Sequence, residues 1–268
     1  MDAPIAKSYQ PITNAMFLDT IEDALQGIDG VKLVSVGSVC ARGRVFVTAK
    51  LSQLESFKAA GREFKAYLNF LNSHDGSAAF VVNTSNVCTV CNNTFSMNLH
   101  SGKSDVNIRL KHTRHVANRL ENVAEVVDGV LGAQAEFRAI MDTLSTKRIT
   151  TPSARALFAD FVGPGAGSKR NEGRGMSTQK LETADRLTQL FLTGRGNRGN
   201  DLSDVFSATT DYFSHESMGE DKAEQMISSE FARGAREKNR MLHLLTEPAE
   251  VIVQRIKSGN QLLAETLN

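Results

Sequence analysis

The sequence predicts an α+β fold: an antiparallel β-hairpin sheet backed by a long helix, followed by a helical C-terminal half. Three observations predict it. Runs rich in β-branched residues and broken by turn signals extend to about residue 112. A three-and-four spacing of apolar residues then starts at Thr113. Helical patterns occupy the rest of the chain. This reading divides the protein into a β-rich core with its covering helix at 1–145 and a helical region at 146–268, the latter carrying a flexible Gly-rich loop at 163–176.

Taken in order, "NAMFLDTIEDAL" sets Met16, Phe17, Ile21 and Leu25 on one helical face, with Asn14 as its cap. "KLVSVGSVCARGRVFVTAKL" is β-branched on both sides of "ARGR", a hairpin signature in which Gly43 supplies the turn. The strand-like runs Phe64 to Leu71 and Ala78 to Val82 flank "NSHDGS", whose Asn, Asp, Gly and Ser are turn formers. In "DVNIRLKHT", Val106, Ile108 and Leu110 face one side while Asn107, Arg109 and Lys111 face the other. Val116, Leu120, Val123, Val127, Val130, Phe137, Met141 and Leu144 then describe a long amphipathic helix. Two roles suit it: a core helix covering the sheet, or a subunit contact of coiled-coil spacing.

A further helix opens at "TTPSARALFADFVG", with Thr151 as cap, Pro152 in the first turn and Gly163 as the stop. "STQKLETADRLTQLFLTG" and "DLSDVFSATTDYFSHES" are helical, separated by "GRGNRGN", and Pro248 divides the helical tail in two.

Composition bounds the function classes. In 268 residues, 41% hydrophobic and 23% charged, a sizeable core is affordable to either one domain or two. Lys+Arg 31 against Asp+Glu 30 gives a net charge of +1, so attraction to a polyanion must be local. The N-terminus has no apolar leader and no stretch approaches the roughly 20 apolar residues of a spanning helix. Three cysteines cannot pair completely and suit a reducing compartment. A cytoplasmic protein, away from membranes, is the expectation.

The pair in "VCTVCNNT" raises a metal or redox site. A structural zinc site takes four ligands, and Cys88 and Cys91 have no second pair; Cys40 and His100 would have to be recruited. The expectation is therefore no metal and no cofactor, with "NVCTVCNNTFSMNL" a strand end passing into a helix capped by Asn92 or Asn93. Catalytic candidates are equally thin. Asp211 and His215 are one helical turn apart with Glu216 beside them, but no third ligand accompanies them. No nucleophile elbow or phosphate-binding loop appears, so no catalytic residue is assigned.

Charge clustering says more. Between positions 103 and 119, Lys103, Arg109, Lys111, Arg114 and Arg119 face only Asp105. Arg109 and Lys111 share a strand face, roughly 6.6 Å apart, a spacing that resembles consecutive phosphates of an extended single strand. Arg42 and Arg44 at the hairpin turn, with Lys58, Arg62 and Lys65, extend the same surface. Lys169, Arg170, Arg195 and Arg198 on glycine-rich backbone embrace the ligand from loops.

The segments "YLNFLNSHDGSAAFVVNTSNVCTVCNNTF", "IRLKHTRHVANRLENV" and "GRGNRGNDLSDVFSATTDYFSHES" resemble the phage/plasmid-like proteins classed as domain of unknown function 932. The resemblance spans roughly residues 60 to 220, and departs where an aromatic, often Trp, is expected near Leu202 to Val205. It implies a phage or mobile-element protein without naming an activity. A hairpin sheet backed by a long helix is also similar in topology to phage single-strand annealing recombinases. The expected function is single-stranded DNA binding and annealing by a homo-oligomer; the alternative is an interaction factor that binds or inhibits a host protein.

Overall fold

Strands of alternating apolar residues build the sheet. The computed structural model describes residues 9–26, 31–39, 43–51, 56–74, 78–89, 94–96, 108–113, 123–163, 175–217 and 221–267. Helix α1 (Asn14–Leu25) leads into β1 (Val31–Val39), β2 (Arg44–Leu51), β3 (Phe57–Ala59), β4 (Arg62–Ser73), β5 (Phe80–Cys88), β6 (Thr94–Ser96) and β7 (Ile108–Leu110). All pairings are antiparallel, in the order β1-β2-β4-β5-β6, with β3 on β4 and β7 on β5. Helices α2 (Val123–Thr146), α3 (Thr151–Val162), α4 (Thr178–Thr193), α5 (Leu202–His215), α6 (Lys222–Phe231), α7 (Arg233–Thr246) and α8 (Ala249–Leu267) follow. The α+β class is therefore as expected.

Several local expectations shift. Thr13, not Asn14, caps α1, its hydroxyl accepting from the Met16 N–H at 3.2 Å. Thr150, not Thr151, caps α3, accepting from Ser153 N–H at 3.4 Å. In both cases the cap is the residue one position earlier, because the cap must keep an extended backbone, ψ 161° at Thr13 and 155° at Thr150, while its oxygen reaches the N–H three residues ahead. Within the segment expected to turn helical after Cys88, Thr94–Ser96 is instead a strand, β6, paired with β5; residues 90–93, with both expected caps Asn92 and Asn93, lie outside the described residues. The hairpin β3–β4 has only Ala60 and Gly61 between its strands, both at positive φ (50° and 72°) as a tight hairpin turn requires. Ala60 is stabilised there by its N–H donating to Asp142 Oδ1 at 2.7 Å.

Register sorts the sheet into two faces. On the apolar face, Val47, Leu68, Phe70, Phe80, Val82 and Leu110 pack against Phe17, Ile21 and Ala24 of α1. Phe17 and Phe80 meet edge to face with ring centroids 5.9 Å apart. Further along, Phe57 and Phe64 receive Phe137 of α2, at 6.1 and 5.3 Å. Phe137, Met141 and Leu144 are all buried, so this end of the long helix covers the sheet, the first of the two roles its spacing allows.

The cluster that begins at Ala59, Phe64 and Cys88 runs unbroken into Leu157, Phe158, Phe191, Phe206 and Leu245. Sheet and helices thus share a core. Within it α3 and α8 touch closely at Gly259, where a Cβ would lie 1.7 Å from the Ala156 carbonyl oxygen. Helix α5 runs through the middle, and every residue from Leu202 to Thr210 is buried.

The other face of the sheet is mixed. Phe46, Leu71 and Val81 pack under Met226, Ile227 and Phe231 of α6. Beside them lies a polar row, Thr48, Asn69, Asn83 and Ser85.

Candidate functional site

Two arrangements on the mixed face carry chemistry. The first is the cationic end of the sheet. Arg109 pairs with Val81 on β5, Val81 with Leu71 on β4, and Leu71 with Phe46 on β2. Residues directly opposite share a face, so Arg109 points to the mixed face and borders the patch under α6. Lys111, two residues on, lies on the same side, and both side chains are exposed. Arg44, opposite Ser73, also lies on this face and is half-buried.

Pairing sets Arg109 and Lys111 apart. Among the described residues, ion pairs engage Arg138, Arg148, Arg155, Arg186, Arg240 and Arg255 in the helical half, and none engages Arg109 or Lys111. Among the described residues no carboxylate pairs with them, and both side chains are exposed. His112 adds no positive charge. It is buried, its Nδ1 lies 2.8 Å from the Tyr9 hydroxyl, and burial together with nearby His74 holds its pKa below the ordinary imidazole value. Tyr9 in turn donates to the Ser73 carbonyl at 3.1 Å, fastening the N-terminal segment across this end of the sheet.

The remaining cations fall out differently. Arg62 is buried, not part of a basic surface: its guanidinium is ion-paired with Asp204, and also donates to Ser203 Oγ at 3.0 Å and Asn197 Oδ1 at 3.1 Å. The "GRGNRGN" turn is folded, not loose, because Asp204 Oδ2 accepts from the Arg198 and Asn200 N–H groups at 3.1 and 3.2 Å. Arg195 and Arg198 are exposed beside Arg62, at the end of β4 away from Leu71, roughly 30 Å from Arg109 along the strand. They do not join its surface. Lys103, Arg114, Arg119, Arg42, Lys169 and Arg170 lie outside the described residues.

Of the cysteines, Cys88 is buried in the shared core, whereas Cys40 and Cys91 lie outside the described residues, as does His100. Asp211 is half-buried; its carboxyl is raised above the usual carboxylate range chiefly by burial, against the attraction of His215. Glu216, the third member of that group, is instead held by Arg186 in a two-pronged contact at 2.6 and 2.7 Å. Among the described residues no cluster of three potential metal ligands forms.

The second arrangement was not visible in the sequence. A cavity of about 290 Å³ lies between the polar row of the sheet and helices α5 and α6. Its sheet wall is a linked network: Thr48 Oγ1 donates to Asn69 Oδ1 (3.0 Å), and Asn69 Nδ2 donates to Asn83 Oδ1 (3.1 Å) and Ser85 Oγ (2.8 Å). Asn83 Nδ2 donates across to the Glu230 carbonyl at 2.6 Å, tying sheet to helix. The helix wall presents Ser214, His215, Ser229 and Glu230, with Lys222 and Met226 nearer α6's start. Behind the serines lies Lys238 of α7, fully buried (0% exposed). Its Nζ donates to Ser229 Oγ at 2.6 Å and Ser214 Oγ at 3.0 Å, with Glu230 Oε1 at 3.8 Å. Ser214, Ser229 and Lys238 are 15 and 9 residues apart, spacings that match no local motif and meet only through helix packing.

A family model described as "Domain of unknown function (DUF932)" matches residues 4–246, and the chain belongs to that family. The match reaches well beyond the 60–220 over which the motifs alone carried the resemblance. No curated protein matches the chain, and no solved structure does.

Proposed function

We propose that this member of the DUF932 family binds single-stranded DNA along the cationic end of its sheet and anneals it as a homo-oligomer, in phage recombination or replication. The observation that supports this reading is the charge of Arg109 and Lys111, which no ion pair among the described residues engages. They stand two residues apart on one strand face, exposed, in a molecule that neutralises many of its other arginines. Side chains at that separation match successive phosphates, and phosphate contacts alone give sequence-independent, salt-weakened binding. Arg44 lies on the same face.

One subunit's strand reaches only a few nucleotides, so annealing needs several subunits in line. The edge strand supports this. β1 ends the described sheet, and Leu33 and Val36 on it are 53% and 62% exposed. A long apolar edge invites another strand. The same edge favours the second reading, in which the incoming strand belongs to a host protein.

A mobility-shift titration with a labelled oligothymidylate, at low and at high salt, tests the proposal. Binding at low salt that weakens steeply at high salt supports it. Absence of binding at low salt overturns it and leaves the interaction factor.

A further inference from the structure

A lysine removed wholly from water is expensive to keep unless it is paired or used. The contacts of the Lys238 amine include the Glu230 carboxylate at 3.8 Å and, closer, the Ser229 and Ser214 hydroxyls at 2.6 and 3.0 Å. Both serines line the cavity of about 290 Å³ described above. We propose that Ser229 is a lysine-activated nucleophile and that the cavity receives a small acyl or phosphoryl ester.

The geometry supplies the parts in sequence. Ser229 Oγ is 2.6 Å from Lys238 Nζ, within range for direct proton transfer. In the resting arrangement Lys238 donates to Ser229, and the Ser229 hydroxyl donates to Glu230 Oε1 at 2.9 Å. When Lys238 gives up a proton, the amine becomes an acceptor and the hydroxyl hydrogen turns towards it. Oγ then bonds to the acyl carbon or phosphorus as its proton passes to Nζ. The leaving alcohol departs with the bonding electron pair and takes that proton back, so Lys238 ends neutral and Ser229 esterified. Ser214, 3.0 Å from the same amine, orients it.

Burial pushes Lys238 down to about 8, so a useful fraction is neutral close to physiological pH. Among the described residues, the charged and titratable groups around this centre are Glu230 beside the amine, His215 and Lys222 on the helix wall, and Tyr67 on the sheet, its phenol raised by burial. Asn69 and Ser85 give the cavity a hydrogen-bonding floor, and Val87 and Met226 give it apolar sides. A compact ester with one polar end fits that lining. The site stands independently of the DNA reading, since Ser85 is four residues along β5 from Val81, roughly 13 Å from Arg109's row.

The test uses the full chain and a fluorophosphonate probe, whose phosphorus accepts the serine oxygen and releases fluoride. The expected result is one adduct, mapped by peptide mass spectrometry to Ser229, with a labelling rate that rises between pH 7 and pH 9. Ser229→Ala removes the adduct. Lys238→Arg keeps the charge but cannot accept a proton, and slows labelling by about 100-fold. No adduct on Ser229 at pH 9 overturns the proposal. So does a rate in the wild type that is flat between pH 7 and pH 9, a readout that stands even where a Lys238 variant fails to fold.

Discussion

Arg62 on β4 and Asp204 on α5 form an ion pair, buried on both sides, that fastens the sheet to the helical half. The carboxylate does double duty: Oδ1 meets the guanidinium while Oδ2 caps the N–H groups of Arg198 and Asn200. Removing one partner strands the other charge in a dry interior. Asp204→Ala is therefore expected to lower unfolding free energy by about 3–5 kcal/mol, read from urea midpoints. The double variant Arg62→Met, Asp204→Leu recovers the part due to the stranded charge, but not the part due to the two loop amides. A loss below about 1 kcal/mol would show that the pair is solvated.

Lys238 makes stability depend on pH. Its folded pKa is about 8 against an ordinary 10.5, so between these values the unfolded chain binds more protons than the folded one. Stability then rises with pH across that window, by roughly 3 kcal/mol over its full width, and is flat below it. Urea midpoints at pH 7.0, 8.5 and 9.5 check this against Lys238→Met, which lacks the slope. The variant is also less stable at pH 7, because Glu230 stays buried at 3% exposure without its neighbour. Identical pH slopes in the two proteins would place the titration elsewhere.

The exposed edge has its own test. Lysine blunts strand edges, so Val36→Lys is expected to lower the mass seen by light scattering at a given concentration while leaving the helical circular-dichroism signal intact. An unchanged mass would move the subunit contact away from β1.

The sheet was legible because its turns are written in glycine and asparagine and its strands alternate. Leu110 buried beside exposed Arg109 and Lys111 is that alternation realised. Two misreadings have a common origin. Arg62 looks like its neighbours Lys58 and Lys65 in a list of cations, and only the packing of β4 against α5 brings it to Asp204, 142 positions later. "GRGNRGN" has the composition of a loose linker, yet one buried carboxylate folds it. β6 was missed for another reason: three residues are too short for any period to register. The Lys238 centre was hardly legible, since its members lie on three helices whose sequences each read as ordinary amphipathic segments. Ser214, Ser229 and Glu230 are polar residues at buried helix positions, and that polarity was the one signal available.

In the proposed complex Arg109 and Lys111 meet successive phosphates. The most direct test of that contact is the salt dependence of oligothymidylate affinity in the wild type and in the double variant Arg109→Ala, Lys111→Ala, followed by fluorescence anisotropy. Each lost phosphate contact on a single strand reduces the slope of log K against log salt by about 0.7. The double variant is expected to show a slope shallower by about 1.4 and weaker binding at low salt, with thermal unfolding unchanged. Equal slopes in the two proteins would contradict it.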